Sequence, residues 1–113
     1  MKEYNKLVRD KIPEIIKEDK RCPKIKILEK DEYKKELDKK LIEEVTEYIE
    51  DDNIEEIADV LEVIYAILEF KNVSKEEIEK VRNDKKNKRG AFKERIFLEK
   101  CGGKIIWKLQ LIY

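Results

Sequence analysis

Four carboxylates, Glu44, Glu47, Glu56 and Asp59, stand at mirror-image positions on either side of a short polar break, Asp51-Asp52-Asn53. If the flanking segments are antiparallel helices, Glu44 faces Asp59 and Glu47 faces Glu56. Four negative charges then meet in one small volume. Two like charges roughly 4 Å apart repel by about 4 kcal/mol even at an effective dielectric of about 20. A sequence that builds such a cluster needs a cation to put in it. The chain has no His, so the commonest transition-metal ligand and general base is missing. Cys22 and Cys101 are far apart and match no zinc spacing. An oxygen-only donor set suits a hard ion. Mg²⁺ fits best, with Mn²⁺ possible, because such ions take carboxylates and keep waters for substrate phosphates.

Helices must position these groups. Asp31 is a suitable N-cap for a helix running to about residue 50, and Asn53 for a second from Ile54 to about Lys71. A third opens with a capping box, Ser74 with Glu77, stapled by Val73 and Ile78, and ends before Gly90. Near the start, Pro13 suits the first turn of a short helix containing Ile15 and Ile16. Lys24-Ile25-Lys26-Ile27 alternates like a short strand, and 105–113 is apolar and β-prone, which predicts a terminal strand or docked extended segment. No repeat or low-complexity linker occurs.

At about 100° per residue the Ile54 helix shows three faces. Ile54, Ile57, Ala58, Leu61, Ile64, Tyr65 and Leu68 form one apolar stripe, and Glu55, Glu62 and Glu69 the water-facing one. Val60, Val63, Ile67 and Phe70 form a second apolar face, with Glu56 in its middle and Asp59 at its edge. A helix apolar on two sides is buried on two sides, so these two carboxylates are expected to point into protein. On the preceding helix Tyr33, Leu37, Leu41, Val45 and Tyr48 make the core face, and Glu44 falls among them. An ionised carboxylate buried without a partner is costly and would sooner protonate. The plainer alternative is that these are solvated i,i+3 charges, with Glu56 closing a capping box on Asn53.

With 113 residues the chain reads as a single domain, with 101–113 an extension of open role. Charged residues make up 48% of it, yet acidic and basic residues balance at 27 each. No global basic field recruits nucleic acid or an anionic membrane. No signal peptide or membrane-length apolar stretch is present, which predicts a cytoplasmic protein with reduced cysteines.

Glu43-Glu44-Val45-Thr46-Glu47 followed by Glu56-Ile57-Ala58-Asp59 resembles the EExxE…ExxD signature of the MazG-like nucleotide pyrophosphohydrolases, an all-α superfamily. Lys6-Leu7-Val8-Arg9-Asp10-Lys11-Ile12-Pro13 resembles the opening of a small subgroup near phosphoribosyl-ATP pyrophosphohydrolase, and Lys85-Lys86-Asn87-Lys88-Arg89-Gly90-Ala91-Phe92 resembles its KxxxRGxF element. The three matches fall in the right order. Eight residues separate Glu47 from Glu56, fewer than is usual in the family, and a shorter hairpin absorbs the difference.

The resemblance implies hydrolysis of a nucleoside triphosphate between its α and β phosphates, giving monophosphate and pyrophosphate as nucleotide-pool housekeeping. Glu44, Glu47, Glu56 and Asp59 would hold Mg²⁺, and Glu43 or Glu47 would take the proton of the attacking water. Phosphate also needs cationic donors, for which Arg9, Lys11, Lys85 and Arg89 are candidates. Tyr33, Tyr48 and Phe70 could stack on a base, although aromatics at helical spacing are more often core. Two alternatives stand beside this reading: phosphoribosyl-ATP hydrolysis in histidine biosynthesis, and a non-catalytic helical adaptor whose carboxylates are neutralised by Lys and Arg. The expected fold is all-α, an antiparallel helix pair with a possible minor β element at the C-terminus. The face of Val60, Val63, Ile67 and Phe70 exceeds what one hairpin covers, which predicts a homodimer or homotetramer completing a four-helix arrangement.

Overall fold

Helix start and stop signals account for most element ends of the computed structural model, which describes residues 2–103. The described residues are all-helical: α1 (Ile12–Glu18), α2 (Lys30–Asp51), α3 (Ile54–Phe70) and α4 (Lys75–Arg89). The chain separates into two compact units, Met1–Val73 and Ser74–Tyr113.

In the first unit, α1 begins with Pro13 in its opening turn, where the missing N–H costs nothing. It closes in a Schellman motif: Lys20 is left-handed (φ 57°), and the amides of Lys20 and Arg21 donate to the carbonyls of Lys17 and Ile16. The start of α2 differs from the expectation. Glu29, not Asp31, is the N-cap; its backbone is extended, its side chain makes no capping bond, and its carbonyl accepts from the Tyr33 amide at 2.8 Å. Asp31 and Glu32 instead occupy the first turn, where negative charge complements the helix dipole.

Asp52 ends α2 in the left-handed region (φ 51°), and Asn53 begins α3 by accepting the Glu56 amide on its side chain at 3.0 Å. Only Asp52 and Asn53 therefore separate the helices, and α2 packs against α3 as an antiparallel hairpin. The register is fixed at the far end, where the Tyr33 ring meets Phe70 edge-on at 5.8 Å. That pair stands in the same mirror relation as Glu44 and Asp59. A second Schellman motif closes α3, with Asn72 left-handed and Val73 N–H donating to the Leu68 carbonyl.

Leu37 and Val63 are the buried apolar residues of the hairpin, and Glu44 is buried beside them. The two faces of α3 are used in the opposite sense to that expected. Val63 is buried and Val60, Ile67 and Phe70 half-buried, so the face predicted to await a partner is the one packed within the unit. The open face carries Ile54, Ile57, Leu61 and Tyr65, joined by Ile42, Val45 and Ile49 of α2, all exposed. Val45, expected in the core, belongs to it. The two stripes lie side by side because their residues mirror one another about the Asp52–Asn53 turn. Arg9, from the segment before α1, reaches Asp59 at the edge of the packed face.

The segment 24–27 is extended connector, not strand, with Ile25 and Ile27 exposed. A strand needs a ladder partner, and the described residues contain none. The predicted terminal β element at 105–113 lies outside the described residues.

The second unit contains α4, capped by Ser74, whose Oγ accepts the Glu77 amide at 3.1 Å. It stops at Gly90, whose φ of 86° suits a residue without Cβ. The helix has no buried residue and is laced by i,i+3 and i,i+4 pairs, Arg82 to Glu79 and Lys80 to Asp84. Among the described residues no helix is long and apolar enough to cross a membrane.

Candidate divalent-ion centre

The hairpin converts the sequence spacing into a carboxylate cluster near its turn. Oxygens of Glu44, Glu56 and Asp59 lie within 4.8 Å of one another, as do those of Glu43, Glu44 and Glu47. Glu44 belongs to both groups and joins the two helices. It is only 7% exposed, as its position among Tyr33, Leu37 and Tyr48 foretold. Glu56 and Asp59 are half-buried. One oxygen of Glu56, Oε2, is shielded from solvent and has no hydrogen-bond partner.

Three basic side chains face the cluster. The Nζ of Lys40, one turn before Glu44 on α2, reaches Glu44 at 3.3 Å and Glu43 at 3.5 Å. The Nζ of Lys6 donates to Glu43 at 3.2 Å, and Arg9 Nη2 donates to Asp59 Oδ1 at 2.7 Å. Both come from the irregular segment ahead of α1. Of the predicted cations, Arg9 thus meets the carboxylates directly. Lys11 is the N-cap of α1 and is exposed. Lys85 and Arg89 lie on α4, in the other unit. Lys6 and Lys40 are not among the cations predicted from sequence. Lys40 could be inferred from spacing, standing four residues before Glu44 on one helix face. The Lys6 contact spans 37 positions and leaves no periodic signal.

Protonation follows these contacts. Burial pushes the Glu44 carboxyl above the ordinary carboxylate range; the Lys40 ammonium opposes the shift and neighbouring Glu47 adds to it. Glu56 is raised by desolvation, then by a hydrogen-bonding approach to the Asp51 carboxyl and by the charges of Asp51, Glu47 and Asp59. Burial acts upward on Glu43 too, but hydrogen bonds and charge from Lys6 and Lys40 outweigh it and hold this carboxyl below the ordinary value. Five carboxylates (Glu43, Glu44, Glu47, Glu56, Asp59) against three cations (Lys6, Arg9, Lys40) leave an uncompensated negative charge. The donor set is wholly oxygen, the deficit suits a divalent cation, and Glu56 Oε2 is an acceptor in want of one. The residues present therefore fit Mg²⁺.

Further along the hairpin, a cleft of about 550 Å³ is lined by residues that include Tyr33, Ala66, Glu69, Phe70 and Asn72. Burial first, then the charges of Glu69 and Asp10, raise the Tyr33 hydroxyl above its ordinary pKa. Ala66 stands seven residues after Asp59, about 10 Å along the helix axis.

No protein-family model, curated protein or solved structure matches the chain.

Proposed function

We propose that the protein is a Mg²⁺-dependent nucleotide pyrophosphohydrolase of the MazG-like kind, cleaving a nucleoside triphosphate between its α and β phosphates. The observation that carries this reading is the meeting of α2 and α3 carboxylates at buried Glu44, with Glu56 Oε2 left without a partner. Surface carboxylates with no task are seldom paid for by burial. Glu44, Glu47, Glu56 and Asp59 would hold the ion, which when bound neutralises phosphate charge and makes water more acidic.

The chain's own groups supply the rest. Glu43 is tied to Lys6 and Lys40 and held ionised at low basicity, so we assign proton acceptance to Glu47, which among the described residues has no ion-pair partner. Arg9 stands beside the cluster with a planar fork suited to phosphate. Lys11, Lys85 and Arg89 remain assigned to phosphate through the resemblance alone. The cleft beside the edge-on Tyr33–Phe70 pair is also lined by Glu69 and Asn72, aromatic and polar groups that suit a base or the sugar of phosphoribosyl-ATP. The exposed apolar face of Ile42, Ile49, Ile54, Ile57 and Leu61 supports a homodimer in which two hairpins form a four-helix arrangement. We place the protein in the cytoplasm.

The adaptor reading draws on Lys6, Arg9 and Lys40, which already neutralise part of the cluster. Pyrophosphate release from a panel of NTPs, dNTPs and phosphoribosyl-ATP, with Mg²⁺ or Mn²⁺, separates the readings. Release from one substrate class, abolished by Glu44→Gln with Asp59→Asn, is expected and identifies the substrate. No release from any of them, from a folded protein, selects the adaptor.

A further inference from the structure

The cations that hold the cluster together differ in how firmly they are placed. Lys40 is on α2, its side chain only 17% exposed, and the helix fixes it beside Glu44. Lys6 and Arg9 lie instead on the non-helical segment before α1, with side chains 45% and 57% exposed. They reach carboxylates 37 and 50 positions away. Their backbone includes Asn5 in the left-handed region (φ 45°). Leu7, between them, is half-buried, whereas Val8 and Asp10 on either side of Arg9 are exposed. Arg9 and Lys6 can swing their own charges into water, and half-exposed ion pairs of this kind are weak.

We propose that residues 5–11 form a cationic strap that stands in for the divalent ion: Arg9 and Lys6 neutralise Asp59 and Glu43 in the ion-free protein, are displaced from those oxygens when the ion binds, and Arg9 is thereby released to the phosphates of the incoming nucleotide. The strap answers two difficulties together. A centre with repelling carboxylates must survive before it is loaded, and the cation that protects it must not block loading. Arg9 meets both conditions, because its partner Asp59 lies in the group completed by Glu44 and unpartnered Glu56. Charge at the centre is conserved when both strap cations leave, the Arg9 guanidinium and the Lys6 ammonium together giving way to one divalent ion. The inference rests on the metal reading above, but it has a signature of its own: a cation that stays in place beside the ion also weakens Mg²⁺ binding by repulsion, whereas only a displaced strap is freed when Mg²⁺ binds.

The test is Mg²⁺ titration of the full-length chain by calorimetry, in the absence of nucleotide, for wild type, Arg9→Ala, Lys6→Ala and Arg21→Ala. Arg21 is a control that removes the same charge from a residue paired with Asp19. The dissociation constant is expected to fall by about two- to fivefold in Arg9→Ala and Lys6→Ala, the range for one exposed ion pair, and to stay unchanged in Arg21→Ala. In wild type, Mg²⁺ should also speed trypsin cleavage after Arg9, a readout that needs no variant to fold. Pyrophosphate release by Arg9→Ala should fall although its Mg²⁺ binding tightens. Unchanged or weaker Mg²⁺ binding in both strap variants, with wild type binding normally, overturns the strap and leaves the metal reading intact. Absence of binding in wild type and all variants overturns the metal reading, and the strap with it.

Discussion

Glu56 carries the tension of this structure at the level of single residues. Its amide is satisfied by Asn53, yet one of its carboxylate oxygens is shielded and unpartnered, and its neighbours Asp51, Glu47 and Asp59 all repel it. Glu56→Gln removes the charge at constant shape. It is expected to raise the melting temperature of the ion-free protein while abolishing any stabilisation by Mg²⁺; differential scanning fluorimetry with and without Mg²⁺ checks both. The pH dependence has a definite sign. Glu44 and Glu56 have folded-state pKa values raised above the ordinary carboxylate value, so the folded state binds protons more tightly than the unfolded one. Stability must then fall as pH rises from the ordinary glutamate range through the raised values. Glu43, lowered by Lys6 and Lys40, acts oppositely, its contribution being lost only as pH falls below the ordinary range. Melts of ion-free protein across the mildly acidic range should show stability declining with pH, and this decline should disappear in Glu44→Gln with Glu56→Gln. The carboxylates could be found in the sequence because helical periodicity sets them on inward faces. Lys6 and Arg9 could not be paired with their partners, since the contact depends on how an irregular segment crosses the hairpin.

The elements owe their register to a few local contacts near the turn and in the seam. Asn53 caps α3 while Asp52 turns the chain in the left-handed region, so the two carboxylate-bearing helices meet immediately. Asn53→Ala is expected to cost about 1 kcal/mol and to weaken Mg²⁺ binding by loosening the turn, measurable by chemical denaturation and titration. Leu37 is the most deeply buried side chain among the described residues, 2% exposed; Leu37→Ala should cost about 2–5 kcal/mol, a large share of the stability of so small a core. Caps at Asn53 and Ser74 were legible because they are encoded by a residue and its neighbour three positions on. The start of α2 was not, because Glu29 serves as a cap through its backbone alone, which leaves no mark in residue type. The strand expected at 24–27 failed for a related reason: alternation describes a strand's surface but does not supply a partner.

At the scale of the molecule, the outstanding feature is an apolar face without cover, where Ile42, Ile49 and Ile54 are each more than two-thirds exposed. That some face of α3 would remain open was legible from its two apolar stripes. Which one was not, because both stripes have helical periodicity and spacing alone does not rank them. If a second copy covers the open face, sedimentation should give a dimer, and Leu61→Lys with Ile57→Lys should give a folded monomer. The carboxylates of the hairpin are proposed to form a divalent-ion centre. Mn²⁺ paramagnetic resonance on purified protein tests it most directly, by counting free ion against protein in wild type and in Glu44→Gln with Asp59→Asn. Saturable binding that Mg²⁺ displaces, lost in the double variant, is the predicted result. No saturable binding by wild type, with a double variant more stable whether or not the ion is present, would contradict it.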